Sequence, residues 1–272
     1  DAIDMRLRFE MNSAGDFTTK KKLTPFIKDA WIRWEYAGNH RALVGIQPSP
    51  TKEVLERFWG YRSLEKTLLD LQKWGNSRDF GVGFDGNIDS QNKLRYHFML
   101  GNGSGDSSDT NSGKKTLLSL AYYPSDNFIL EFYSDYENLP DSSHRRTLQG
   151  FVGYQKDWGR LGVQYARQIR TGNSDLALDS VSVFGVYNLS PRADLIGRYD
   201  RMFDPNPDGE RISFIPFNPE ASFNFFLAGL DFKVSEEFSF IPNVEVVRYD
   251  KMKSGPRPNS DLIPRLTFYY RF

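Results

Sequence analysis

Few side chains in this sequence are spaced for covalent or metal chemistry. His40, His97 and His144 fall in a short turn, on a strand and in a long connection, so they do not converge on one metal ion. Asp141, Ser142, Ser143 and His144 hold the residue types of a hydrolytic triad. Side chains adjacent in sequence seldom reach triad geometry, however, and this run reads as turn chemistry. The run from Gly101 to Asp106, with Asp109 and Asn111 after it, offers oxygen ligands but lacks the spaced bidentate Glu of a calcium hand, so it reads as a loop. With no cysteine among 272 residues, disulfides, thiolate metal sites, iron–sulfur clusters and cysteine nucleophiles are all excluded. No catalytic residue, metal or cofactor is expected, and an enzyme is the least favoured class. The 35 Lys and Arg balance 35 Asp and Glu, which argues against a nucleic-acid partner.

The chain does carry charge at alternate positions. Ile3, Met5, Leu7, Phe9 and Met11 alternate with Asp4, Arg6, Arg8 and Glu10. The same period recurs where Leu94, Tyr96, Phe98 and Leu100 oppose Arg95, His97, Met99 and Gly101, and at Leu266, Phe268, Tyr270 and Phe272 against Arg265, Thr267, Tyr269 and Arg271. A helix cannot keep such faces apart, whereas a strand does so by its pleat. The scan gives about fourteen strands: 2–11, 25–37, 41–47, 77–86, 93–102, 114–123, 127–137, 146–157, 160–170, 178–188, 193–203, 221–233, 237–249 and 262–272. Most reach the roughly 9–11 residues that cross a bilayer at a tilt.

Connections after even-numbered strands are short, as at Gly38-Asn39-His40 and Pro124-Ser125-Asp126. Those after odd-numbered strands are mostly longer, the longest being 48–76. An even strand count, two-residue alternation and one tight end define a closed antiparallel transmembrane β-barrel, the layout of the bacterial outer membrane. Lipid cannot satisfy backbone N–H and C=O groups, so a spanning sheet must close on itself, which makes strands 1 and 14 neighbours and gathers Arg6, Arg8, Arg265 and Arg271 into one basic patch. Residues 1–272 then form a single barrel domain. Tyr36, Tyr122, Phe128, Tyr154, Tyr187, Phe232, Phe238 and Phe272 make an aromatic girdle at the short-turn end. A soluble β-sandwich is the competing fold, disfavoured by the strand number. Pro242 costs a ladder donor, and a bulge is expected near it. The chain opens at Asp1 with no basic–apolar leader, which reads as a processed or truncated product with an N-terminal portion removed.

The polar face then meets water in a lumen. Its expected lining is Arg6, Arg8, Glu10, Arg33, Glu35, Arg95, Glu131, Arg198, Asp200, Arg265 and Arg271, with Gln164 also facing water. Segment 48–76 is the one helical connection. Thr51 and Ser63 are placed to cap two short helices, and Leu64, Leu68 and Leu71 form an apolar stripe that needs a surface. It either folds into the lumen, presenting Arg57, Arg62 and Lys66 to passing solute, or caps the outer rim; the lumen of so wide a barrel offers the surface. Lys20-Lys21-Lys22 and Asp16 look like an exposed rim facing lipid.

The stretch Thr24-Pro-Phe-Ile-Lys-Asp-Ala-Trp-Ile-Arg-Trp, with Gly45-Ile-Gln-Pro-Ser-Pro, Arg57-Phe-Trp-Gly-Tyr-Arg, Glu65-Lys and Ser77-Arg-Asp-Phe-Gly-Val, resembles the N-terminal half of porins of the phosphate-selective family, over residues 24–86. The ending Tyr269-Tyr270-Arg271-Phe272 is similar to the C-terminal aromatic signal of outer-membrane barrels. The resemblance implies a passive, water-filled channel for small solutes or ions, with anion preference in the best-known members. This chain departs from them in having about fourteen strands, not sixteen, and in interleaving its inward arginines with acids, so phosphate selectivity does not carry over. Seven inward Arg against nine inward Asp or Glu, and a nearly neutral 48–76 loop, predict weak charge selectivity. The alternative reading is a structural or anchoring barrel within a larger envelope assembly. Expected partners are outer-membrane lipid, small solutes and further copies of the chain.

Overall fold

The computed structural model of the protein describes residues 2–12, 24–172, 175–212 and 215–271. The alternating segments form strands β1 (Ile3–Asn12), β2 (Thr24–Ala37), β3 (His40–Pro48), β4 (Arg78–Asn87), β5 (Leu94–Gly101), β6 (Lys114–Ser125) and β7 (Phe128–Asn138). They continue as β8 (His144–Lys156), β9 (Gly159–Thr171), β10 (Leu176–Ser190), β11 (Ala193–Met202), β12 (Phe223–Lys233), β13 (Phe238–Tyr249) and β14 (Asp261–Tyr270). Helices α1 (Pro50–Trp59) and α2 (Leu68–Leu71) lie between β3 and β4. The result is one 14-stranded sheet in which each strand pairs antiparallel with its sequence neighbours.

Period-two alternation assigns the faces. Leu130 (40% exposed), Val163 (48%), Leu195 (45%) and Leu266 (52%) stand on the outer face, while inward neighbours such as Tyr133 and Gln149 are buried. At the short-turn end the girdle forms as ring contacts between Phe128 and Tyr154 (4.7 Å) and between Phe238 and Phe268 (6.3 Å), and Trp158 stacks on Tyr187 (6.4 Å). Phe272, Asp16 and Lys20-Lys21-Lys22 lie outside the described residues. Gly38, at φ 55°, supplies the left-handed position that the tight β2–β3 turn needs.

Three expectations fail. Among the described residues β1 and β14 are the free edges of the sheet and do not pair with each other. The basic patch of Arg6, Arg8, Arg265 and Arg271 does not assemble either, because carboxylates on adjacent strands take three of the guanidiniums. Arg6 and Arg8 turn to Asp29 (3.4 and 3.0 Å), Arg265 turns to Glu245 (3.0 Å), and Arg271 lies over the Tyr269 ring (5.9 Å). Pro242 makes no bulge. Its β12 ladder lapses between Gly229↔Asn243 and Phe232↔Phe240 without a change of register, while Pro242 stays opposite Leu266 on β14.

An arginine in place of Leu130 or Leu195 should cost roughly 2–4 kcal/mol if these side chains face lipid near mid-bilayer, against roughly 0–1 kcal/mol for Ser190→Arg at the rim. Denaturant unfolding from lipid vesicles measures the difference, and equal costs at the two depths would contradict the assigned lipid face.

Candidate functional site

Segment 49–77 crosses the interior of the sheet. Pro50 occupies the first turn of α1, where its missing N–H is harmless, so the helix starts two residues earlier than Thr51 capping requires. Ser49 and Thr67, not Thr51 and Ser63, stand at the two N-caps, and neither makes a side-chain cap bond. Leu55, Phe58, Trp59, Leu64, Leu68, Leu71 and Trp74 are all buried. Phe58 meets Phe151 edge-on at 5.4 Å and Trp59 meets Phe184 at 5.0 Å. Gly153 makes this possible, since a Cβ there would sit 2.8 Å from the Phe58 ring.

Polar pegs set the position of this apolar contact. The Tyr61 hydroxyl lies 2.9 Å from Asp194 Oδ2 and 3.0 Å from Asp231 Oδ2, and burial together with these carboxylates raises its pKa. Gln168 donates to the Trp74 carbonyl (3.1 Å), Asn206 donates to the Gln72 carbonyl (3.0 Å), and Arg198 donates to the Lys66 carbonyl. Arg62, half-buried, is held charged by Asp70 and Glu56. Lys66 approaches Asp70 at 3.9 Å. Of the three loop cations named from sequence, Arg62 and Lys66 are thus tied within the segment, and Arg57 stands 72% exposed.

The wall under this segment is dry, which corrects part of the expected lining. Glu131, Gln164, Arg198 and Asp200 point inward as their parity requires, yet each is at most 5% exposed. Glu131 accepts from Ser119 (2.6 Å), Gln164 donates to Gln149 (2.6 Å), and Arg198 pairs with Asp200 (2.5 Å). An arginine in place of Gln164 would bring a charge into this dry wall and is a costly change. The sequence signal was present: β10 and β12 place Phe184, Val186, Phe223, Phe225 and Leu227 on their inward faces, where β1 places four charges and Asn12.

Water is left with the other half. A cleft of about 670 Å³ runs along the inner faces of β1 to β5, from Asn39 and Asn87 at the short-turn rim to Pro48 and Arg78 at the opposite rim, with α1 as its second wall. The nine residues of β3 span roughly 30 Å at about 3.3 Å per residue. Arg6, Arg33, Glu35 and Arg95 line the cleft as expected from parity, and Arg57 reaches it from α1. Arg8 and Glu10 lie on the exposed edge strand, and Arg265 is held by Glu245 outside the cleft.

The charges in the cleft are paired across strands. Arg41 donates to Asp85 through Nε (2.7 Å), its direct register partner, and Arg33 meets Asp4. Arg78 donates to Asp29, on which Arg6 and Arg8 also converge. Sequence reading passed over Arg41, Arg78 and Asp85. The inward parity of Arg41 and Asp85 was legible, but the register that opposes them was not. Glu53 of α1 accepts from Arg95 (2.6 Å) and contacts His97 Nδ1 (3.1 Å). Burial opposes its ionisation, but the His97 hydrogen bond and the charges of Arg95 and Arg57 prevail and hold its carboxyl at about 2.

No triad assembles at the 141–144 loop. Asp141 accepts from Ser143, while His144 Nδ1 faces Asn138 Oδ1 at 3.0 Å. Among the described residues no group of three or more His, Cys, Asp and Glu side chains is placed to hold a metal.

An antiparallel sheet of this size, apolar outside and charged inside with an inward-folded helical connection, is the fold of outer-membrane porins and channels. The anion-selective porin of Comamonas acidovorans superposes with a TM-score of 0.68 at 10% identity, covering 99% of this chain and 81% of that one. The trimer form of OmpT of Vibrio cholerae gives 0.69 at 10% identity, with 99% and 86% covered. The outer-membrane channel DcaP of Acinetobacter baumannii gives 0.63 at 15% identity, with 100% and 82% covered. No protein-family model matches the chain, and no curated protein matches its sequence.

Because the docked carboxyl of Glu53 sits at about 2, below its usual 4.5, its contribution to holding α1 on β5 is complete above about pH 4.5 and is lost as pH falls through about 2. Acid titration followed by the fluorescence of buried Trp59 and Trp74 should show a transition in that window, and Glu53→Gln should remove it.

Proposed function

We propose that the chain is a passive diffusion channel of the bacterial outer membrane, passing small hydrophilic solutes and ions. The observation that carries the reading is the charged cleft that runs from one rim of the sheet to the other beside α1. The porins among its structural neighbours support it. A pore of this kind works without covalent chemistry: its paired side chains replace part of a solute's hydration while the walls keep lipid out. Six arginines, Arg6, Arg33, Arg41, Arg57, Arg78 and Arg95, line the cleft against four carboxylates, Glu35, Glu53, Glu56 and Asp85. The dry wall takes Arg198 as well as Glu131 and Asp200 out of the balance, and the excess of arginine in the cleft shifts the preference from nearly none to modestly anionic. Arg57 is the least restrained of these cations, 72% exposed with Glu53 at 3.4 Å.

In planar bilayers the protein should give stable single-channel currents with a reversal potential displaced modestly toward the anion value. Arg57→Glu should move that potential toward cations, because a charge within about 8 Å of the path is unscreened. No current would favour the anchoring barrel, and an unchanged potential in Arg57→Glu would remove Arg57 from the path.

Closure of the sheet in lipid is part of the same proposal. β1 and β14 run in opposite directions, so their free edges can pair directly or through an even number of further antiparallel strands. Cysteines at Met5 and Leu266 should cross-link in membranes if the pairing is direct, and should stay apart if strands intervene.

A further inference from the structure

Beneath segment 57–63 lies a second space of about 490 Å³, open at the short-turn end. The segment roofs it, and the packed Leu64, Leu68 and Trp74 close the lumen above, so this space is a side pocket beside the cleft and not a route across the sheet. Its cations are Arg57, Arg160, Lys233 and Arg271, and its carboxylates are Asp231 and Glu236.

The bonding state of these cations separates the pocket from the cleft. In the cleft Arg41, Arg78 and Arg95 each hold a carboxylate. Around the pocket, Asp231 is engaged by Tyr61, and Asp194 is engaged by Tyr61 and by Lys233 at 2.9 Å. Arg160 has no carboxylate within 4 Å among the described residues. It donates through Nη2 to the Trp59 carbonyl (3.0 Å), lies 5.6 Å from the Tyr61 ring, and leaves a buried Nε without a partner. Among the described residues Arg271 likewise has only the Tyr269 ring beside its guanidinium. Phe58, Tyr61 and Ile241 add apolar surface to the same walls.

We propose that this pocket binds a small organic anion, with its carboxylate or phosphate on Arg160 and Arg271 and an apolar or aromatic body against Phe58, Tyr61 and Ile241. A guanidinium forks onto such oxyanions with two parallel bonds, and the partial burial of Arg160 lowers the screening that would weaken them in open water. The volume falls within the ~300–1,000 Å³ usual for small-molecule sites. Binding here does not require the cleft to conduct, so an equilibrium measurement tests it independently of channel activity.

Titration calorimetry of the full chain in detergent micelles at low ionic strength, with benzoate as the probe and benzyl alcohol as its neutral counterpart, tests the assignment. Saturable binding of one benzoate and none of benzyl alcohol is expected. Arg160→Gln and Arg271→Gln should each weaken it about tenfold, the loss of a charge-assisted hydrogen bond, while Arg192→Gln on the exposed β10–β11 turn should change it less than about twofold. Absence of saturable binding, equal binding of the alcohol, or equal loss in Arg192→Gln overturns the site. So does an effect confined to Arg160→Gln, because that side chain also holds the segment through Trp59; Arg271 holds no residue of the segment.

Discussion

The burial of Phe58, Trp59, Leu64, Leu68 and Trp74 against one inner wall is the interaction on which the rest of this interior depends. A sheet of fourteen strands encloses more space than side chains alone fill, and the 49–77 segment takes the half in which β8 to β13 present Phe151, Phe184, Ile196, Phe225 and Ile241. Each large apolar side chain withdrawn from water contributes about 1.5–3 kcal/mol, and that gain is non-directional. Direction comes from hydrogen bonds at the perimeter: Tyr61 to Asp194 and Asp231, Gln168 to the Trp74 carbonyl, Asn206 to that of Gln72.

This docking decides the electrostatics of both halves. Where the segment covers the wall, Arg198 and Asp200 are buried as a tight pair, since an uncompensated buried charge costs several kcal/mol. Where it leaves the wall open, α1 brings Glu53 to Arg95 and His97, and the cleft is bounded by strand arginines on one side and helix carboxylates on the other. Asp29 shows how crowded guanidiniums are tolerated, with Arg6, Arg8 and Arg78 around one buried carboxylate. Arg57 lines both the cleft and the side pocket, and so links the two polar spaces that the segment creates.

The outer surface follows a different rule. Its residues need only be apolar at alternate positions and aromatic near the turns, as Leu130, Val163 and Leu195, and then Tyr154, Trp158 and Tyr187, illustrate. Position matters little there because lipid makes no directional demand, whereas the backbone groups of β1 and β14 at the sheet edges do make one.

Strand number, strand limits, the direction of each side chain and the tight end of the sheet were all legible in the sequence, because a period of two is a local property that each strand carries by itself. The helical segment was legible too, from its leucine stripe and Glu53. Which inward residues stay wet was not. Glu131, Gln164, Arg198 and Asp200 have the same parity and polarity as Arg33 and Arg95, and they differ only in lying under a segment more than fifty residues away in sequence. The pairing of Arg41 with Asp85, the meeting of Tyr61 with Asp194 and Asp231, and the unpaired state of Arg160 likewise depend on register and on docking across the lumen. Only the tertiary structure decides these, since burial and charge pairing are set by which distant surfaces meet, and alternation along a strand contains no record of that.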